Sequence, residues 1–237
     1  KWFLKYEEPE IISDFRINNT ANNLEAYYKT QGYFKAKVNS VINRYKDKKA
    51  TASYYISPGN ATSLDTINLK IESPVLDSIF KTSEREILLK TSEQYKDQVF
   101  RKEAEKMVKL FRNNGIYNFN EEAIGFYVDS TRTDNKTNVD YIVAKDRLVE
   151  TERGTYETES FKVHKIRNIN VITDYTFARK DDDYKDTVNF EGIKYLAHDK
   201  LQYKAKYLSQ SLFIKPGRVY KDTLRRLTRN HLKSLKN

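Results

Sequence analysis

The chain has 237 residues, of which 38% are hydrophobic, 13% aromatic and 32% charged. That composition can build cores, but small ones, and no run of about 18 apolar residues exists to cross a membrane as a helix. Cysteine is absent, which excludes disulfides, thiolate nucleophiles and thiolate metal sites. The net charge is +10, and residues 155–237 carry 18 Lys and Arg against 10 Asp and Glu. This basic end suits a solvated surface, a nucleic acid or an anionic membrane face.

In chain order, residues 1–9 form an aromatic-basic entry containing Trp2, Phe3 and Tyr6, and Pro9 argues against helix there. A helix is predicted over 19–31, with Thr20 as N-cap and Leu24, Tyr27, Tyr28 and Gln31 on one face. Gly32 stands where a left-handed C-terminal cap belongs. Strands over 36–42 and 50–56 follow, joined by a turn at Asp47-Lys48. Ser57-Pro58-Gly59-Asn60 breaks the pattern. Ile67, Leu69 and Ile71 then alternate as a strand, and a short helix follows over 75–80. A longer helix over 98–114 places Val99, Ala104, Met107, Val108 and Phe111 on an apolar face and ends at Gly115. Strands over 123–130 and 138–144 flank a turn at 131–136.

The polar, charge-alternating stretch 148–160 reads as a linker. Beyond it, Phe161, Val163, Ile166, Ile169, Val171 and Ile172 suggest a leading strand. Residues 181–186 suggest an acidic loop, and 190–196 and 201–208 further strands or short helices. A last helix carries Leu224, Leu227, Leu232 and Leu235.

Two internal correspondences organise these elements. Residues 88–97 and 213–222 share Lys90/Lys215, Tyr95/Tyr220, Lys96/Lys221 and Asp97/Asp222 at a separation of 125. Gly32 and Gly115 correspond at a separation of 83, with Leu24/Met107, Tyr27/Leu110, Tyr28/Phe111 and Phe34/Tyr117 in step. The expected fold class is therefore α+β, built from tandem β-α-α-β-β units. Each unit is a small mixed three-stranded sheet packed on two helices. The expected boundaries are 1–58 for a first unit lacking its first strand, 59–147 for a second, and 161–237 for a third lacking its final hairpin. The glycine expected 125 residues after Gly115 falls beyond Asn237, so the chain is expected to be a piece of a longer protein.

No catalytic constellation stands out. His164, His198 and His231 lie far apart and read as surface or half-buried structural histidines. Asp181-Asp182-Asp183 lacks calcium-loop spacing. Pro58-Gly59 and Pro216-Gly217 read as turns rather than phosphate cradles. The expectation is a non-enzymatic protein with no cofactor and no metal. Tyr27, Tyr28, Tyr33, Phe34, Phe111 and Tyr117 suit helix-on-sheet packing better than a stacking platform for nucleic acid.

The order and spacing of these motifs resemble the POTRA (polypeptide-transport-associated) domains that stand in tandem before the barrel of the BamA/TamA family of outer-membrane assembly proteins. The residues that carry the resemblance are Trp2 with Glu8-Pro9, Leu24 to Phe34, Arg101 to Tyr117 with Phe119, Ile124 to Thr131, Ile166 to Tyr175 and Phe213 to Leu235. In detail they are most similar to the lipoprotein TamL branch found in Bacteroidota. Glu7 and Ile116 depart from the pattern at positions where Gly and Tyr are expected.

The resemblance implies a periplasmic region tethered to the outer membrane. It would bind unfolded outer-membrane clients or a TamB-like inner-membrane-anchored partner by β-augmentation. A BamA-type core insertase subunit and a basic αβ nucleic-acid module are the alternatives, nucleic acid not being the partner expected. The implied edge-strand residues are Lys35, Ala36, Lys37, Val38, Asn39, Ser40, Ile42 and Arg44 in the first unit and Ile124, Phe126 and Val128 in the second. A membrane-proximal basic face is implied at Arg218, Lys221, Arg225, Arg226, Arg229 and Lys233.

Overall fold

A computed structural model describes residues 12–46, 49–129 and 134–234. The aromatic-basic entry, the Asp47-Lys48 turn, the first half of the 131–136 turn and Leu235 lie outside the described residues. The elements run α1 (Asp14–Thr30), β1 (Lys37–Arg44), β2 (Ala50–Ser57), β3 (Ser63–Ile71), α2 (Pro74–Thr82), α3 (Asp97–Asn113), β4 (Ile124–Val128) and β5 (Lys136–Val143). They continue with β6 (Asp146–Glu150), β7 (Tyr156–Ser160), β8 (Asn170–Ile172), β9 (Asp186–Phe190), β10 (Ile193–Ala197), α4 (Ala205–Ser209) and α5 (Asp222–Ser234). The α+β expectation holds, and β3 to β5 reproduce the β-α-α-β-β order with sheet order β3-β5-β4. Two compact units emerge, one formed by residues up to Asn68, Ile87–Glu103 and Phe126–Tyr141, the other by Leu69–Glu86, Ala104–Gly125 and residues from Ile142 on. Helix α3 and strands β3, β4 and β5 contribute to both.

In the first unit, α1 begins earlier than expected because Ser13 caps it, its hydroxyl accepting from the Arg16 N–H at 3.3 Å. Such a cap contributes about 1 kcal/mol. Thr20 lies inside the helix and donates its hydroxyl to the Arg16 carbonyl instead. The buried face is centred on Ile17 and Ala21, and Tyr27 points to solvent, 59% exposed. Helix α1 packs on β1. The β1–β2 register pairs Val38 with Ile56, Ser40 with Tyr54 and Ile42 with Ala52. A file of rings continues from Phe34 through Tyr95, Phe100 and Phe126 to Tyr141, with centroid separations of 5.0, 4.9, 5.2 and 4.5 Å. Glu103, fully buried, accepts from the Leu88 N–H (2.9 Å) and the Tyr141 hydroxyl (3.3 Å). Buried carboxylates need such donors to offset desolvation.

In the second unit, Leu76, Met107, Phe111, Ile116 and Phe119 are fully buried. Phe119 lies between Phe111 (4.7 Å) and Phe161 (5.3 Å). Residues 148–160, expected as a linker, belong instead to the antiparallel β6–β7 hairpin, which Arg147 and Glu159 clamp by a 2.8 Å ion-pair hydrogen bond across the strands. Arg147 and Glu159 stand directly opposite in the register, so one opposite-charge pair faces across the strands.

The expected leading strand over 161–172 shrinks to the three residues of β8. Phe161 is drawn into the core, while Lys165 makes an isolated bridge to Val219. Strand β10 pairs parallel with β8 and antiparallel with β9, completing a mixed sheet of order β8-β10-β9. Its hairpin turns at Glu191-Gly192, both at positive φ (51° and 73°), as a two-residue turn of matching twist requires. This hairpin precedes α4 and α5, an order the repeat did not suggest.

The core of this sheet is Ile169, Ile193, Tyr195, Leu208 and Leu212, with Leu232 packed against it. Leu227 is exposed, and Thr228 takes the inward place because its hydroxyl accepts the Phe213 N–H at 2.9 Å. His198 is fully buried rather than at the surface or half-buried. Its Nδ1 is 3.1 Å from Asp174, whose carboxylate also accepts the backbone N–H groups of His198 and Asp199. These bonds, the His198 N–H first, hold the Asp174 carboxyl below its ordinary range.

Candidate docking edges and glycine joints

The candidate strands sit at sheet margins. Strand β4 is an edge strand, and β1 belongs to a two-stranded sheet in which each strand has one free side. A strand margin offers unused N–H and C=O groups to an incoming chain. Ile124, Phe126 and Val128 lie on the half-buried face, with Phe126 edge-on against Phe100 and stacked near Tyr141. The outward side chain of β4 is Tyr127, 64% exposed, which the alternation pattern placed outside without flagging it.

In the first unit, Lys35 and Ala36 precede β1, and Ala36 is buried, so neither belongs to the margin as expected. Lys37 and Asn39 face solvent, Val38, Ser40 and Ile42 are half-buried, and Arg44 reaches Asp14 at 3.0 Å.

The basic candidates divide. Arg225 is engaged by Asp222 (2.9 Å) and donates to the Tyr220 hydroxyl (3.1 Å), so it is not a free surface cation. Arg226, Arg229 and Lys233 form an exposed stripe on α5 at i, i+3 and i+7, and Arg218 and Lys221 are exposed just before it. Burial would raise the Asp222 pKa, but hydrogen bonds from Tyr220 and Arg225 and the nearby Arg112 outweigh it, and the net shift is downward. A carboxylate with a lowered native pKa stabilises the fold above its unfolded pKa, about 3.9, and that stability is lost as pH falls through the folded pKa. Asp222→Asn should therefore flatten the acid limb. Between pH 6 and pH 3 the variant's melting temperature should fall less than the parent's, as followed by circular dichroism; an equal fall would remove the assignment.

The strongest local geometry lies where the two internal correspondences meet. After α1, Gly32 adopts φ +86°, and the Gly32 and Tyr33 N–H groups donate to the Lys29 and Tyr28 carbonyls. After α3, Gly115 adopts φ +97°, and the Ile116 N–H donates to the Phe111 carbonyl. Both ends are left-handed glycine caps. Each glycine carbonyl then receives a backbone N–H from a distant stretch, from Thr62 at 2.8 Å and from His164 at 2.9 Å. Each receiving stretch is held by the Tyr-Lys-Asp element. The Tyr95 N–H donates to the Thr62 carbonyl (2.8 Å) and the Tyr220 N–H to the His164 carbonyl (2.9 Å). The isolated bridges Ser63–Gln94 and Lys165–Val219 sit beside them.

Ring contacts close both joints, Phe34 on Tyr95 at 5.0 Å and Tyr117 on His164 and Tyr220 at 4.7 and 6.0 Å. The second joint adds an Arg112–Asp222 ion pair (3.2 Å) and the Thr223 N–H donating to Asn113 Oδ1 (2.9 Å). Thr62 was not singled out from sequence, and His164 only as a structural histidine. Thr62 acts through backbone groups, so no side-chain pattern marks it; only a breaker followed by the start of a strand pattern could have pointed to it. His164 adds its ring to the same backbone role.

No family model matches the sequence, and no curated protein does. Among solved structures, the chain is similar to the crystal structure of Haemophilus influenzae BamA POTRA3-5, at 11% identity and a TM-score of 0.47, over 99% of this chain and 73% of that one. BamA from Haemophilus ducreyi lacking POTRA domains 1-3 matches at 10% identity and a TM-score of 0.37, over 61% of this chain and 26% of that one. The N-terminal domain of Omp85 from Thermosynechococcus elongatus matches at 12% identity and a TM-score of 0.29, over 98% of this chain and 77% of that one. At such identities and scores these are likenesses and carry no further weight.

Proposed function

We propose that this chain is a POTRA region of an outer-membrane assembly factor, periplasmic and tethered to the outer membrane, and that it binds extended polypeptide by adding a strand to β4. The observation that carries this reading is the margin of the β3-β5-β4 sheet. Strand β4 pairs on one side with β5, its half-buried face is anchored by the Phe126 ring stack, and Tyr127 projects outward beside the free side. Main-chain bonding of this kind accepts many sequences, which suits unfolded outer-membrane clients. The sequence resemblance adds a TamL-like parent, a TamB-like inner-membrane-anchored partner, and unit boundaries near 58, 147 and 160.

The test is a photo-crosslinker at Tyr127 in the full-length protein, expressed in cells. A client or partner segment should be captured at Tyr127 and not from Phe126, which faces inward. Equal capture from both positions, or none at Tyr127, would sink strand addition at β4. The stripe Arg226, Arg229 and Lys233 would turn toward anionic headgroups, each cation near such a surface being worth about 1 kcal/mol. Vesicle binding indifferent to salt would remove that part of the reading.

A further inference from the structure

Beside the β6–β7 hairpin, the second unit holds a cleft of about 200 Å³ lined by Asn118, Asn120, Glu122, Asp146 and Leu148, with Ala123 and Ala144 between them. Two buried acceptors in it lack a donor. Asn118 Oδ1 and Asp146 Oδ1 are buried atoms with no hydrogen-bond partner. Asn120 donates its amide to Glu122 Oε2 at 2.9 Å, which holds that carboxylate at the rim of the cleft. Arg147, the cation in the lining, is turned to Glu159 by a 2.8 Å bond.

The walls are held in place. Phe119, between the two asparagines, is fully buried against Phe111 and Phe161, and the Ala144 N–H donates to the Ala123 carbonyl at 2.9 Å. Folded proteins rarely leave buried acceptors without a donor. Two in one preset cleft, in a chain of net charge +10, mark a place for a donor-only group.

We propose that this cleft is a subsite for a primary ammonium on an alkyl stem, as in a lysine side chain. An ammonium offers three donors and no acceptor, which matches two unpaired buried acceptors beside the Glu122 carboxylate, and a methylene stem fits beside Ala123, Ala144 and Leu148. A hard metal ion is the poorer fit. The cleft has two carboxylates, and among the described residues no group of three or more His, Cys, Asp or Glu could hold a metal. That the lysine belongs to a bound polypeptide rests on the reading above; the ammonium site itself does not, so each can fail alone.

The experiment is an NMR titration of the whole 237-residue chain with n-butylammonium chloride. Saturable shifts should appear at Asn118, Asn120 and Asp146, with a dissociation constant on the order of 1 mM. Asp146→Asn should weaken binding at least tenfold. Glu122→Gln, a change on an exposed turn, should act in the same direction should the first variant fold poorly. Butanol, acetate and calcium chloride are the competing probes. Equal shifts with butanol, preference for acetate, preference for calcium, or no saturable shift would each overturn the proposal.

Discussion

Gly32→Ala should lower the unfolding free energy by about 2–5 kcal/mol, read as a shift in the urea midpoint at constant slope. An added Cβ would stand 2.6 Å from the Tyr95 carbonyl oxygen and 3.3 Å from the Thr62 carbonyl oxygen, at φ +86°. Two penalties therefore combine: a left-handed backbone imposed on a residue with a Cβ, and overlap with main chain. Neither yields easily. The Tyr95 backbone is itself bonded to Thr62, so moving it away breaks the bond that holds the receiving stretch. With a typical domain stable by only about 5–15 kcal/mol, such a loss is a large share. A change below about 1 kcal/mol would show that the joint around Gly32 is looser than the structure describes.

Gly115→Ala should cost a similar amount for a different reason, and the difference can be measured. Its Cβ would meet two side-chain methyl groups first, Val163 Cγ1 at 2.7 Å and Val219 Cγ1 at 3.0 Å, and the His164 backbone N at 3.3 Å. Val163 is 48% exposed, so Val163→Ala alone should be nearly neutral. In the double variant it should recover about 1 kcal/mol or more of the Gly115→Ala loss, leaving the cost of φ +97° and the contacts with Val219 and the His164 backbone. The same change should do nothing for Gly32→Ala. Urea unfolding of the four variants forms a double-mutant cycle. Additive behaviour of Gly115→Ala and Val163→Ala would contradict the packing assigned to this joint.

The pairing of Tyr95 with Tyr220 began as a periodicity in the sequence, and its physical meaning is now specific. Each tyrosine N–H holds a receiving stretch that in turn bonds a glycine carbonyl. Part of this was legible because local chemistry dictates it. Glycine is the residue that adopts φ of +86° and +97° without a Cβ penalty where α1 and α3 end, and the Tyr-Lys-Asp element repeats because its backbone and ring serve the same purpose twice. The alternation of Ile67, Leu69 and Ile71 and of Ile124, Phe126 and Val128 was equally local, since a strand exposes one face at a time.

The rest depended on partners distant in the chain. Phe100 and Glu103 are buried on α3 although the helical face was read from Val99 and Ala104, because the ring file and the Leu88 and Tyr141 donors select that side. Leu227 is left exposed and Thr228 taken inward because one hydroxyl meets the Phe213 N–H. The stretch 148–160 has the composition of a linker and becomes a hairpin through the ladder that pairs Asp146–Glu150 with Tyr156–Ser160, with the Arg147–Glu159 ion pair across it.

By itself, then, the sequence determined the α+β class, the two glycine-ended helices and the alternating strands, all of which rest on backbone sterics and short-range periodicity. Tertiary structure alone decided that the backbone groups of Thr62 and His164 receive the glycine loops. Those roles use N–H and C=O groups that every residue but proline carries in full, and so they leave no trace in residue type.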